Sequence, residues 1–154
     1  MEASSVAFAG LSCAEVLAGA WFFRELEPEQ IERIAALGRI ERYPRNNAIY
    51  NLGDAAENFY VLFDGMVRFT IGLGSRQTSA GQILRRGEVF GWAALVGHAQ
   101  KRIATSYCIT PCTVVALNGN RLLDLMEHDH SVGYHLMKQL NVLITGNLTS
   151  FAAG

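Results

Sequence analysis

The sequence predicts a mainly β domain, an antiparallel β-roll of the jelly-roll (double-stranded β-helix) kind with helices on both flanks. Three observations carry the prediction. Between residues 39 and 118 apolar side chains alternate with period two, and turn chemistry interrupts them often enough to make seven or more short strands. Before residue 39 and after residue 118 the apolar spacing is helical instead. The chain has 154 residues, half of them hydrophobic, which suffices for one domain with its own core. The expected organisation is one domain over 1–154: N-terminal helices over 1–38, the β-roll over 39–118 and C-terminal helices over 119–150.

Each element has a local reason. Leu17, Trp21 and Phe22 recur at helical spacing. Glu27-Pro28 places a proline where a helix starts, and Ile31, Ile34, Ala35 and Leu37 continue the stripe to a stop at Gly38. The strands are expected at 40–43, 48–50, 59–63, 66–71, 82–84, 103–109 and 113–117, with one more ending at Phe90 and Gly91. Asp64-Gly65 between two β-rich runs predicts a hairpin. Leu122, Leu125 and Met126 mark a short helix. A second helix of about twenty residues is expected from an N-cap at Ser131, with Val132, Leu136, Leu140, Leu143, Ile144 and Leu148 on one face. Tyr134, Met137 and Val142 widen that stripe enough to serve two surfaces, so a homodimer through this helix is expected.

Composition excludes several classes. Thirteen Lys+Arg against fourteen Asp+Glu give a net charge of −1, which is no electrostatic footprint for nucleic acid. No apolar run approaches the roughly 20 residues of a membrane-spanning helix. Three cysteines, Cys13, Cys108 and Cys112, argue against a disulfide framework and for a reducing compartment. Cys108 and Cys112 read as buried small hydrophobes rather than metal ligands. The first twenty residues are apolar but carry only Glu2 and Glu15 as charges, whereas a secretory leader begins basic; they read as a helix packed on a cytoplasmic domain.

One stretch breaks the strand pattern from inside. Phe90-Gly91 ends a strand, Trp92-Ala-Ala-Leu-Val96 has the length of about one helical turn, Gly97 stops it, and Lys101-Arg102 begins the next strand. Unpaired N–H groups at such a start attract anions, and Gly91 lets a phosphate approach the backbone. Arg102 can close the clamp by forking onto two phosphate oxygens.

These residues resemble the phosphate-binding cassette of the cyclic nucleotide-binding domain family, F-G-E-x-A-L-x and then R-x-A. Here they read Phe90-Gly91-Trp92-Ala93-Ala94-Leu95-Val96 and Arg102-Ile103-Ala104-Thr105. Upstream, Pro44-Arg-Asn-Asn-Ala-Ile49 with Gly53-Asp54 resembles the family's P-x-G-x-x-I…G-D, and Tyr60-Val61-Leu62…Gly65-Met66-Val67 its Y-x-V-x-x-G-x-V. The resemblance runs from about residue 22 to 148. It implies a regulatory, non-enzymatic module that binds a cyclic nucleotide such as cAMP or cGMP, with Gly91, Trp92, Ala93, Ala94, Arg102, Ile103 and Thr105 at the ligand. It also places Thr145 and Asn147 near the nucleobase, and leaves His98 in the cassette loop.

There are two departures from the family pattern. Trp92 replaces the glutamate that accepts hydrogen bonds from the ribose 2′-hydroxyl, and an indole is a donor only. No helix-turn-helix sequence follows the long helix, so DNA binding by this chain is not expected. The alternative reading is a ligand-independent dimerisation or scaffold domain whose pocket is plugged by Trp92. A cupin-like metal site at His128, His130 and His135 is set aside, because residues two apart on a helix do not share a face. No cofactor, metal or catalytic residue is expected; Ser75, Ser79 and Ser106 lack a G-x-S-x-G elbow.

Overall fold

The computed structural model describes residues 10–97, 100–146 and 151–154. The first helix, α1 (Cys13–Ala18), starts at Ser12, whose side chain accepts from the Glu15 N–H. A 3₁₀ turn (Trp21–Phe23) follows, and then α2 (Pro28–Ala35), with Pro28 at its start as expected. Glu27 and Gln30 close a reciprocal capping box there. The helix ends at Ala35 with Ala36 as its C-cap; Gly38, expected as its stop, is the first residue of a strand.

Among the described residues, eight strands form two four-stranded antiparallel sheets. β1 (Gly38–Tyr43), β8 (Cys112–Asn118), β3 (Asn58–Asp64) and β6 (Val89–Phe90) make one sheet in that order. β2 (Ala48–Tyr50), β7 (Thr105–Cys108), β4 (Val67–Ile71) and β5 (Thr78–Ser79) make the other. Two strand expectations fail. Residues 82–84 keep only a single bridge, Leu84 to Val67, and the strand pairing with β4 is Thr78–Ser79. Asp64-Gly65 does not join a hairpin, because β3 and β4 belong to different sheets. Gly65, at φ 99°, turns the chain from one sheet to the other where any Cβ would lie 2.7 Å from Cys112 Sγ.

Alternation decides which side chains meet. On β3 and β8, Phe59, Val61, Val115 and Leu117 face the helices and share a core with Phe22, Phe23, Leu122 and Leu136. Tyr60, Leu62, Val114 and Ala116 point the other way, into the space between the sheets. Both faces of these central strands are covered, so their sequences read as nearly continuous apolar runs. Cys108 and Cys112 are buried between the sheets as free thiols. Their mutual hydrogen bond, and then burial, push the Cys108 thiol above its ordinary range.

Beyond the roll, α3 (Gly119–His128) and α4 (His130–Ile144) pack against α1, α2 and the first sheet. Asp129, not Ser131, caps α4 and accepts from the Val132 N–H. The helix is 15 residues long, shorter than expected. Val132, Leu136, Leu140 and Leu143 are buried, while Tyr134, Met137 and Val142 are exposed. Leu148 and Asn147 lie outside the described residues. No helix among the described residues is long and apolar enough to cross a membrane.

Candidate functional site

Arg102 sits in the link before β7 and is held there by the Gly53-Asp54 turn. Its N–H donates to the Asp54 carbonyl at 2.8 Å and its own carbonyl accepts from the Gly53 N–H at 2.9 Å. The Asp54 carboxylate closes that turn by accepting from the Asn51 N–H. So fixed, the side chain runs inward and is only 3% exposed. Its Nη1 donates to the Gly154 carbonyl at 2.8 Å and its Nη2 to the Asn58 carbonyl at 2.6 Å. The guanidinium carbon lies 4.1 Å from the centre of the Tyr50 ring, a cation–π distance. Nε has no acceptor among the described residues, and none of their ion pairs includes Arg102. Burial lowers the Arg102 pKa, opposed by the oxygens of Tyr50 and Tyr60 and by Asp54 and Glu57. A buried cation compensated by carbonyls and a ring face is a strong attractor for an anion.

Across the hollow stands a 3₁₀ turn (Trp92–Leu95), the helical segment read from the sequence. Gly91 precedes it at φ 82°, and a Cβ there would lie 2.9 Å from the Asn58 carbonyl and 3.2 Å from Arg102 Nη1. Glycine is required both for that backbone and for that approach. The Gly91 N–H donates to the Ala153 carbonyl and the Ala93 N–H to Gly154. The Ala94 N–H is spent inside the turn on the Gly91 carbonyl, so the expected cradle of amides from 91 to 94 is narrower than predicted.

Residues 152–154 therefore occupy the centre of the site. Ala152 and Ala153 are fully buried in the inter-sheet core, and the Tyr50 hydroxyl reaches the Ala153 carbonyl at 3.5 Å. Trp92 lies against Gly154, where a Cβ would come within 2.8 Å of the indole. In the scaffold reading the plug is the indole; in the structure the acceptors of Arg102 Nη1 and of the Gly91 and Ala93 amides belong to this segment, with Trp92 packed on it.

The structure brings Gly91, Trp92, Ala93 and Arg102 together, and Ala94 backs them. It does not bring Ile103, which is exposed, or Thr105, whose hydroxyl accepts from the Leu52 N–H and ties β7 to the turn after β2. Thr145 is exposed and bonds back to Asn141 within its own helix; His98 lies outside the described residues. Sequence reasoning missed Tyr50, Asn58 and Tyr60, which form the aromatic and carbonyl floor. Tyr60 stacks on Phe90 with ring centres 5.1 Å apart. The inward alternation of β2 and β3 carried that information. His128 bonds the Asp124 carbonyl and His135 faces Glu25; among the described residues no three metal-ligating side chains converge.

A model of the cyclic nucleotide-binding domain matches residues 40–129, more than half of the chain. The chain belongs to the cyclic nucleotide-binding domain family. Residues 151–154 lie beyond that match. The cAMP-activated global transcriptional regulator CRP of Pasteurella multocida is 26% identical over 101 residues, 66% of this chain. This chain spans about half of that regulator, 48% of its length. Among solved structures, a putative cyclic nucleotide-binding protein from Geobacter metallireducens has a TM-score of 0.72 at 24% identity, covering 91% of this chain and 96% of that one. The regulatory domain of Toxoplasma gondii PKA, solved with cAMP, has a TM-score of 0.68 at 22% identity, covering 83% of this chain and 48% of the other. The solved structures show the β-roll fold.

Proposed function

We propose that this domain is a regulatory module, not an enzyme, that takes an anionic phosphate ligand of the cyclic nucleotide class at Arg102 and the Gly91 and Ala93 amides. The supporting observation is the buried Arg102 guanidinium, which donates to the Asn58 and Gly154 backbone oxygens, lies over the Tyr50 ring and has an Nε–H with no acceptor among the described residues. A phosphate offers that Nε–H a charged acceptor, and an arginine and a phosphate can pair by two parallel hydrogen bonds. The relatives point the same way: one is named as cAMP-activated and another was solved with cAMP.

Occupancy has a route outward. Gly119, the first residue of α3, packs against the cassette turn so tightly that a Cβ would lie 2.9 Å from the Ala94 Cβ. Leu95 belongs to the same core as Leu122, Met126 and Leu136. A shift of the turn moves α3 and α4, a two-state element biased by ligand. The exposed Tyr134, Met137 and Val142 on α4 are then the face that a second copy covers.

The test is thermal unfolding with cAMP and with cGMP, alongside Arg102→Ala. Ligand at about 100 times its dissociation constant adds about 2.7 kcal/mol to the wild type and nothing to the variant. No stabilisation by either nucleotide at millimolar concentration contradicts the reading and leaves the ligand-independent scaffold.

A further inference from the structure

We infer that residues 152–154 are a built-in occupant of the nucleotide site, exchangeable with ligand, so that binding releases this segment. The inference rests on the proposed nucleotide reading and adds the competitor to it. Three independent features converge on it. The donors that would hold a phosphate are engaged by this one segment: Gly91 N–H by the Ala153 carbonyl, Ala93 N–H and Arg102 Nη1 by Gly154. The segment is small at each position, and it has to be: Ala152 and Ala153 are 0% and 1% exposed, and any Cβ on residue 154 would strike the Trp92 ring. Trp92 also acquires a purpose. Its indole ring lies where a Cβ on residue 154 would come, so it offers a flat apolar surface to a glycine.

The contacts are those of a competitor rather than a permanent filler. The Ala153 carbonyl that holds the Gly91 N–H is a neutral acceptor, and the buried Arg102 Nε–H has no acceptor among the described residues. A phosphate can satisfy that group and give the Gly91 N–H a charged acceptor in place of a neutral one. Residues 152–154 and a nucleotide phosphate cannot hold Arg102 Nη1 and the two amides at once. The apparent affinity for nucleotide is therefore the intrinsic affinity reduced by the fraction of molecules in which the segment is out.

Two measurements on the full chain test this. The first is calorimetric titration of cAMP into the wild type and into Ala153→Lys, which puts a long charged side chain where the inter-sheet core holds a buried methyl group. The expected result is cAMP binding at least about tenfold tighter in Ala153→Lys, corresponding to a segment that is docked in at least about nine molecules of ten. The second is hydrogen exchange of the wild type, where cAMP should speed exchange at residues 151–154 and needs no variant to fold. Equal affinity in the two proteins, or exchange at 151–154 unmoved by saturating cAMP, overturns the inference while leaving the nucleotide site in place. Absence of cAMP binding in both folded proteins overturns the nucleotide reading and this inference with it.

Discussion

The two cores of this domain are built differently. The outer one, between the first sheet and the helices, is made of aliphatic side chains and phenylalanines: Leu17, Phe22, Phe23, Ile34, Phe59, Leu122 and Leu136 are all 0–1% exposed. The inner one, between the sheets, mixes Tyr50, Tyr60, two cysteines and several alanines, and it is completed by Ala152 and Ala153 from outside the roll. The outer core excludes water and fixes the fold. The inner core holds a buried cation and borrows backbone from a remote segment to satisfy it. The outer core is completed by its own helices and sheet, whereas the inner one is the core that the proposed exchange of residues 152–154 for ligand would open.

Mutation can break or sharpen this contrast. Phe22 packs on Phe59 with ring centres 4.9 Å apart and is 1% exposed, so Phe22→Ala should cost about 3–5 kcal/mol in chemical denaturation. If that variant, once folded, also loses nucleotide affinity by orders of magnitude, the two cores are not the separate units described here. A smaller effect is expected at the inner core. Trp92→Glu restores an acceptor for a ribose hydroxyl and places a carboxylate against the Gly154 carbonyl. A charge-assisted bond of about 1.5–3 kcal/mol corresponds to roughly tenfold to more than a hundredfold tighter cAMP binding. Weaker binding by this variant would mean that the indole itself contacts the ligand.

Much of this was legible in the sequence, and the failures have physical causes. The period-two pattern between residues 39 and 118 gave the roll, and Pro28 the start of α2. The ordered set Gly53-Asp54, Phe90-Gly91 and Arg102 gave the site, because each has a local geometric job that few residue types can do. Asp64-Gly65 misled because a glycine turn looks alike whether it joins neighbours in one sheet or crosses between two; long-range pairing decided it. Residues 82–84 have β-type composition but only Leu84 finds a partner. Thr105 matches the family motif, and in the fold its hydroxyl accepts from the Leu52 N–H, which ties it to the turn after β2. Ser131 lost the cap to Asp129, which accepts from Val132 and also pairs with Arg33 at 2.7 Å. The role of residues 152–154 left no trace in periodicity or spacing, since alanines and a glycine announce neither a helix nor a strand.

The most direct test follows the amide resonances of Gly91 and Ala93 as cAMP is added to the wild-type chain. The Gly91 N–H now donates to Ala153 and the Ala93 N–H to Gly154, and both resonances should move saturably as a phosphate replaces those acceptors, with no movement in Arg102→Ala. Stabilisation by cAMP while the Gly91 and Ala93 amides stay where they are would contradict the account, because the nucleotide would then be bound somewhere else.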